Sequence, residues 1–277
     1  RSRVWLRAVF CHLHSKCFQF AGKGLAAQRF SYYNKRKQRK GEHMEIKRAA
    51  ELLRGLADGV DPMTGRPLPD ESVYNRPEII RATQAMGYTE MTEIQQKAIP
   101  LMLAGHDMIA KAPTGTGKTV AFGIPILQKA AGFPAGAPKA VVLSPTRELA
   151  QQIAQDLTNL AQFLPEIRVV CVYGGAGLEK QQKQLKAGCQ IVVATPGRLM
   201  DHYRHHALDL SQVTTIVLDE ADEMLNMGFY KDVRGIIDLL KSRESLSMFS
   251  ATISREVLDI GWLYQHNAEE ITVQPRE

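Results

Sequence analysis

Short apolar runs alternate with amphipathic stretches from about residue 71 to the end of the chain. Several apolar runs lack polar alternation, which is typical of strands that are covered on both faces of a sheet. The predicted strands are Asp107–Ala112, Ala140–Leu143, Ile167–Tyr173, Gln190–Ala194, Thr215–Leu218, Ser247–Phe249 and Ile271–Val273. The predicted helices between them are Lys118–Ala131, Glu148–Phe163, Leu178–Lys186, Tyr230–Leu240 and Arg255–Tyr264.

This alternation predicts an α/β fold, a doubly wound and mostly parallel sheet with flanking helices and right-handed crossovers. In such a sheet, ligands bind beyond the carboxyl ends of the strands. The sheet domain is predicted to span residues 71–277. Residues 42–70 are predicted to form a short helix and a linker rich in Gly, Pro and Asp, and residues 1–41 form a basic arm.

The formal charge of +6 is concentrated in the arm, which holds eleven Lys and Arg and no acid. From residue 42 onward there are 24 basic and 29 acidic residues, a net charge of −5. A nucleic-acid contact in the body would therefore depend on local patches. The arm is interpreted as a mitochondrial or other organellar targeting segment, or as a flexible basic extension. In the second case we expect a cytoplasmic or nuclear protein.

Two further classes of protein are disfavoured. No run reaches the roughly 18 apolar residues that a membrane helix requires, so we expect no membrane partner. The cysteines are Cys11, Cys17, Cys171 and Cys189, and none forms a Cys-x-x-Cys pair. Cys171 and Cys189 fall in or beside apolar runs and are interpreted as small core residues. Neither a disulfide framework nor a zinc site is predicted.

A phosphate-binding loop is predicted at residues 112–119, Ala-Pro-Thr-Gly-Thr-Gly-Lys-Thr, because it follows a strand and opens a helix. Its glycines let the backbone wrap a polyphosphate, and successive N–H groups at the helix start point at the anion. Lys118 would neutralise the β and γ phosphates, and the Thr119 hydroxyl would ligate Mg²⁺. The predicted nucleotide contacts in this loop are Ala112, Thr114, Gly115, Thr116, Gly117, Lys118 and Thr119.

Three acidic residues, Asp219, Glu220 and Asp222, follow the apolar run Thr215–Leu218. Acids clustered at the ligand-facing edge of a sheet repel one another, which predicts a Mg²⁺ ion held by Asp219. Glu220 would orient or deprotonate an attacking water. The alternative interpretation is a solvated helix start capped by Asp219 or Asp222.

Together these motifs resemble the first, RecA-like P-loop NTPase domain of DEAD-box ATP-dependent RNA helicases. Asp219–Asp222 spells Asp-Glu-Ala-Asp and is followed by Met224-Leu225 and Gly228-Phe229. The other matching motifs, spread over about residues 71–277, are Gly87–Gln95, Pro145–Ala150, Gly174-Gly175, Thr195–Arg198 and Ser250–Thr252. The phosphate loop alone occurs in many ATPases, whereas its combination with these motifs is specific.

The resemblance implies ATP and Mg²⁺ as cofactors and RNA as partner, bound through its backbone without sequence readout. Gln95, supported by Thr92, would contact the adenine edge. The implied catalytic set is Lys118, Asp219, Glu220, Asp222, Ser250 and Thr252, in which Ser250 and Thr252 would link to Asp222. The implied RNA contacts are Thr146, Arg147, Gly174, Gly175, Thr195, Pro196, Gly197 and Arg198.

Two positions depart from the family pattern. Met91 stands where Pro is usual, and Asp70 stands near the place of an adenine-stacking Phe, which leaves Tyr74 as the nearest aromatic candidate. We still expect ATP to be preferred over GTP, because Gln95 is present. The second helicase domain, with its arginine fingers, is expected to be absent from the 277 residues, so this chain should bind nucleotide but hydrolyse it very slowly.

The leading hypothesis is an ATP-dependent RNA helicase or ribonucleoprotein remodeller that hydrolyses ATP to ADP and phosphate while separating RNA strands. Its expected partners are RNA and either a second helicase domain or proteins of a ribonucleoprotein. The alternative is a non-catalytic or nucleotide-gated RNA-binding assembly factor of a ribonucleoprotein such as a ribosome. A third interpretation is a DNA-directed P-loop motor.

Overall fold

The computed structural model describes residues 77–87 and 91–274. The chain divides into two compact units, residues 1–91 and residues 92–277. In the first unit the described element is helix α1, Pro77–Ala85. The predicted arm, the predicted linker, Asp70 and Tyr74 lie outside the described residues, and the domain boundary at residue 71 stays a prediction.

The second unit is built on one sheet with the strand order β3-β4-β2-β5-β6-β1-β7, in which every neighbouring pair is parallel. The predicted parallel α/β fold is therefore confirmed. The strands are β1 (Met108–Lys111), β2 (Ala140–Leu143), β3 (Val169–Val172), β4 (Ile191–Ala194), β5 (Thr215–Leu218), β6 (Ser245–Ser250) and β7 (Glu269–Thr272).

All five predicted helices are confirmed to within three residues at each end. Three α-helices of the second unit, α2, α6 and α7, were not predicted, and neither was the π-helical turn Leu225–Phe229 that follows α7. The helices are α2 (Glu93–Leu103), α3 (Lys118–Ala130), α4 (Arg147–Leu160), α5 (Leu178–Lys186), α6 (Pro196–Arg204), α7 (Ala221–Met224), α8 (Tyr230–Leu239) and α9 (Arg255–Tyr264).

Helices cover both faces of the sheet. On one face, α5, α6, α8 and α9 bury Leu185, Leu199, Ile236 and Val257 against alternate strand residues such as Val141. On the opposite face, α2, α3 and α4 pack against one another and the sheet. The two covered faces explain why the strands lack polar alternation.

Strand β6 is longer than predicted. Its sequence, Ser-Leu-Ser-Met-Phe-Ser, places serines at its two ends and at Ser247, and all six positions are buried. We predicted only residues 247–249, so the structure adds Ser245, Leu246 and Ser250 to the strand. Small hydroxyl side chains fit here because β6 is an interior strand between β5 and β1.

The remaining class predictions concern membranes and cysteines. Within residues 77–87 and 91–274, no helix has the length and hydropathy to span a membrane. Cys171 and Cys189 are both free, and burial raises their pKa values to about 11 and about 12, so both thiols stay protonated at neutral pH. Cys189 is confirmed as a core residue, whereas Cys171 is only partly buried.

Candidate functional site

The six predicted motifs that follow a strand lie at the carboxyl edge of the sheet, as predicted. The loops after the neighbouring strands β5, β6 and β1 contain the phosphate loop and the acidic and serine motifs, and we call this the phosphate-loop half. The loops after the neighbouring strands β3, β4 and β2, together with the first turns of the helices that follow them, contain the paired glycines, Arg147 and Arg198, and we call this the arginine half.

The phosphate loop joins β1 directly to the start of α3 at Lys118. Gly115 and Gly117 adopt left-handed backbone conformations, with φ of +81° and +90°. A Cβ at Gly117 would lie 2.5 Å from Nε2 of Gln95, so only glycine fits there without displacing that side chain. The Thr116 hydroxyl donates to the Pro113 carbonyl at 2.8 Å, which tightens the turn.

Two loops meet at Glu220, the phosphate loop after β1 and the acidic motif after β5. The Lys118 ammonium donates to Oε1 of Glu220 at 2.7 Å and lies 3.9 Å from Oδ1 of Asp219. The Thr114 hydroxyl donates to the same Glu220 oxygen at 3.1 Å. Lys118 and Asp219 are 6% and 3% exposed. The groups predicted to face phosphate and water are therefore already paired with one another.

Asp219 provides a test for the predicted cation. Burial raises its pKa to about 6, although the Lys118 ammonium opposes this shift. Its Oδ1 atom is buried and accepts no hydrogen bond from any described residue. Thr119 lies in the first turn of α3. Mg²⁺ binds oxygen ligands, and this half offers two of them, the Thr119 hydroxyl and Oδ1 of Asp219. The residues present fit Mg²⁺.

The cation would take most of its ligands from elsewhere. No group of three His, Cys, Asp or Glu side chains suited to a metal occurs in the described part of the chain. Mg²⁺ usually keeps several waters and binds one or two protein oxygens together with substrate phosphates. The site therefore suits a cation that arrives with a nucleotide.

Glu220 adopts an uncommon backbone conformation. Its φ of 48° and ψ of 52° are left-handed, which costs on the order of 1 kcal/mol for a residue other than glycine. The residue stands between the end of β5 and the start of α7, so the chain reverses its path there. The strained residue is the one for which the sequence predicted action on water.

Asp222 connects the acidic motif to the loop after β6. Its Oδ2 accepts hydrogen bonds from the Thr252 backbone N–H at 2.8 Å and the Thr252 hydroxyl at 2.6 Å. Its own N–H donates to the Ser250 hydroxyl at 3.1 Å. Burial alone would raise the pKa of Asp222, but the hydrogen bonds with Thr252 and Ser250 together outweigh it and lower the pKa. The predicted contacts of Ser250 and Thr252 with Asp222 are present.

Gln95 is tied to the phosphate loop. Its Nε2 donates to the Gly117 carbonyl at 3.2 Å, and its Oε1 accepts from the Thr92 N–H at 3.0 Å. The side chain is 3% exposed, and Thr92 is the N-cap residue of helix α2. The link from Gln95 to Gly117 was not predicted, and the adenine contact stays a prediction.

In the arginine half, Thr146 and Arg147 open helix α4. The Thr146 hydroxyl accepts from the Leu149 N–H at 3.2 Å and caps the helix. Arg147 is exposed, and a hydrogen bond with Glu148 raises its pKa. A Cβ at Gly175, whose φ is +85°, would lie 3.6 Å from the Arg147 guanidinium, so these two predicted residues are neighbours.

Thr195, Pro196, Gly197 and Arg198 form the junction between β4 and α6. Pro196 occupies the first turn of the helix, where its missing N–H is harmless. The Arg198 guanidinium donates to the Ala176 carbonyl at 3.5 Å, beside exposed Gly174 and Gly175. The predicted RNA-contacting residues thus line one continuous set of loops. Two buried polar residues beneath them, Gln181 and His202, were not predicted.

Comparisons with known proteins agree with this geometry. The family model for the DEAD/DEAH box helicase matches residues 92–260. The ATP-dependent RNA helicase DbpA of Bacillus subtilis is 42% identical over 197 residues, which are 71% of this chain and 41% of that protein. The ATP-dependent RNA helicase CshA of Listeria monocytogenes is 42% identical over 200 residues, which are 72% of this chain and 38% of that protein.

A solved structure shows the same fold. The crystal structure of a hypothetical ATP-dependent RNA helicase from Sulfolobus tokodaii matches with a TM-score of 0.66 and 38% identity, over 71% of this chain and 56% of that one. The chain spans about two fifths of the length of the curated relatives named above. Because the family model covers more than half of the chain, the chain belongs to the DEAD/DEAH box helicase family.

Proposed function

We propose that this chain is the nucleotide-binding motor domain of an ATP-dependent RNA helicase, which hydrolyses ATP to ADP and phosphate and separates RNA strands or remodels a ribonucleoprotein. The observation that supports this most directly is the convergence of Lys118, Asp219 and Glu220 beside the Asp222–Thr252 hydrogen bonds. This arrangement joins a phosphate site to the loop after β6. Membership of the helicase family favours ATP as the nucleotide.

Lys118 is proposed to exchange partners when a nucleotide binds. Its ammonium now pairs with Glu220, and a triphosphate at the start of α3 would offer it stronger anionic acceptors. Thr119 and Asp219 would hold Mg²⁺, which when bound neutralises charge on the phosphate oxygens. Release from Lys118 would leave the Glu220 carboxylate free to orient the attacking water and accept its proton.

The arginine half is proposed to bind the RNA backbone. Hydroxyls, backbone N–H groups and guanidinium groups contact phosphate and sugar without reading base sequence. Arg147 and Arg198 supply positive charge, and exposed Gly174 and Gly175 let a strand approach the backbone closely. Asp222 is hydrogen-bonded to Ser250 and Thr252. Through these contacts it would couple the presence of ATP or ADP in the phosphate-loop half to RNA binding in the arginine half.

Nucleotide binding is tested on the 277-residue chain, and turnover is tested on the complete gene product with Glu220→Gln as control. We expect ATP to bind more tightly than GTP, and we expect RNA to stimulate phosphate release that Glu220→Gln abolishes. Binding without turnover would support the nucleotide-gated assembly factor instead. Equal stimulation by RNA and by DNA of the same sequence would count against an RNA-directed motor.

An organellar location, mitochondrial or other, stays a proposal that depends on residues 1–41 alone. The relatives compared above are bacterial and archaeal and give it no support. Residues 1–41 fused to a fluorescent protein are expected to direct it to an organelle in eukaryotic cells. A fusion that stays in the cytosol would refute the targeting interpretation.

A further inference from the structure

The loop from Tyr173 to Gly177 follows the edge strand β3 in the arginine half and contains three glycines. Glycine has little intrinsic preference among backbone conformations, so a loop of this composition needs anchors from outside. Side chains from three helices supply them. Gln151 of α4 bonds to the Tyr173 hydroxyl, Gln181 of α5 donates to the Tyr173 carbonyl at 3.0 Å, and Arg198 of α6 donates to the Ala176 carbonyl.

Gln181 is held in turn by His202 of α6. The two side chains are 4% and 0% exposed, and Nε2 of His202 lies 3.0 Å from Oε1 of Gln181. The network fixes the tautomer. Because the Tyr173 carbonyl can only accept, the amide nitrogen of Gln181 must face it, and Oε1 must face the histidine. Nε2 of His202 therefore bears the hydrogen and donates it.

The environment of Nδ1 shows that folding stability alone does not explain why a histidine occupies position 202. Nδ1 of His202 is buried and has no hydrogen-bond partner in the described part of the chain. His202 shares its helix with Leu199, whose side chain is part of the buried hydrophobic core. An apolar side chain would satisfy such a site better than a ring with an unpaired acceptor. What histidine adds is a directed hydrogen bond to Gln181.

We infer that His202 and Gln181 are positioning residues for RNA binding, a relay that fixes the Tyr173–Gly177 loop beside Arg198. His202 stands one turn after Arg198 on α6, so the relay and the Arg198–Ala176 bond fix the loop to the same helix at two points. Neither residue contacts RNA itself. The inference rests on the proposed RNA function of the arginine half.

The test compares binding of a labelled single-stranded oligouridylate by fluorescence anisotropy, at low salt with Mg²⁺ and a non-hydrolysable ATP analogue. His202→Leu and Gln181→Leu are each expected to weaken RNA binding about three- to tenfold, as for loss of a buried hydrogen bond. The double variant is expected to be no weaker than the worse single variant, because both changes break one relay. His202→Gln, which offers an amide N–H to Gln181, is expected to restore binding.

Gln190→Leu is the matched control. Gln190 is also fully buried and also hydrogen-bonded, to Phe133, Glu166 and Arg168, but these contacts lie at the opposite, amino edge of the sheet. It is expected to lower the melting temperature and leave RNA affinity unchanged. All variants are expected to bind a fluorescent ATP analogue as the unaltered chain does, which separates positioning from unfolding.

The outcomes distinguish the two proposals. If the unaltered chain binds RNA and the two leucine variants bind it equally well, the relay is wrong and the proposed function stands. If Gln190→Leu weakens RNA binding as much as they do, the effect is general destabilisation and the relay is again wrong. If the unaltered chain does not bind RNA, the proposed function fails, and the inference fails with it.

Discussion

The two halves of the sheet's carboxyl edge hold their polar groups in different ways. In the phosphate-loop half the charges themselves are buried, and Lys118 reaches Glu220 at 2.7 Å and Asp219 at 3.9 Å. In the arginine half the charged Arg147 lies in solvent, paired with an equally exposed Glu148. The buried groups beneath that surface, such as Gln181, are neutral.

The difference follows from solvation. A charge that leaves water requires a partner, because its desolvation costs several kcal/mol unless an opposite charge or hydrogen bonds offset it. The phosphate-loop half therefore satisfies its charges internally, and a ligand binds there by exchange of partners. An exposed guanidinium stays hydrated and needs no such exchange. The loops of the arginine half can therefore be positioned by neutral hydrogen bonds beneath the surface. Such bonds are strong only where water is excluded.

Of the changes considered, Lys118→Ala is expected to lower the free energy of unfolding the most. The change leaves the carboxylates of Asp219 and Glu220 together in a buried site without their cation. Breaking a buried ion pair in this way typically costs about 3–5 kcal/mol. Nucleotide affinity is also expected to be lost. Denaturant unfolding and titration with a fluorescent nucleotide measure the two effects.

Lys97→Ala is the matched control for that change. Lys97 pairs with Glu93 one helical turn away, and both side chains are about half exposed. Exposed pairs of this kind contribute less than about 1 kcal/mol. If the two lysine variants lose similar stability, burial of charge does not distinguish the phosphate-loop half from the surface.

Gly117→Ala and Gly175→Ala compare the halves at equal backbone strain. Both glycines have φ near +90°, so alanine costs each variant about 1–2 kcal/mol. A Cβ at Gly117 would also lie 2.5 Å from Gln95, whereas the nearest atom to a Cβ at Gly175 is 3.6 Å away. Gly117→Ala is therefore expected to lose about 1 kcal/mol more, because the Gln95 side chain must shift and give up its hydrogen bond to the Gly117 carbonyl. Equal melting temperatures for the two variants would show that the Gln95 contact contributes nothing.

Much of this comparison could be predicted from sequence. The phosphate loop, the acidic motif and the Thr195–Arg198 motif each sit between an apolar run and an amphipathic one, so their place at the carboxyl edge follows from the fold. The direct pairing of Lys118 with Glu220 was not predicted, because the sequence assigned Lys118 to the phosphates and Glu220 to an attacking water. The Asp222–Thr252 contact was predicted only through the family resemblance.

The features that could not be predicted depend on side-chain packing between residues that are distant in the sequence. The hydrogen bonds of Gln95 with Gly117 and of His202 with Gln181 join residues 22 and 21 positions apart, and neither pair has a local sequence signal. A buried glutamine or histidine in a helix looks like an ordinary surface residue in a sequence. The left-handed backbone of Glu220 was not predicted either, because residues other than glycine, asparagine and aspartate rarely adopt it.

Acidification is expected to act on the arginine half through His202. Burial and the nearby Arg198 and His205 lower the pKa of His202, and Asp201 opposes them only in part. As pH falls below about 6.5, the unfolded chain binds a proton that the folded chain resists, so stability falls. The loss is at most about 1.4 kcal/mol per pH unit. His202→Gln is expected to flatten the dependence of melting temperature on pH, and an unchanged slope would show that His202 does not contribute.

Arg147→Ala is expected to have the smallest effect on the fold. Arg147 is solvated, and its pairing with Glu148 is between neighbouring surface residues, so the melting temperature should not change. RNA affinity should fall, and its dependence on salt should become weaker by about one phosphate contact. Lys139 directly precedes β2 and therefore lies at the opposite, amino edge of the sheet. Lys139→Ala should leave the RNA affinity and its salt dependence unchanged. If Arg147→Ala lowers the melting temperature, the guanidinium contributes to folding, and the division between buried charges and solvated surface charges does not hold in the arginine half.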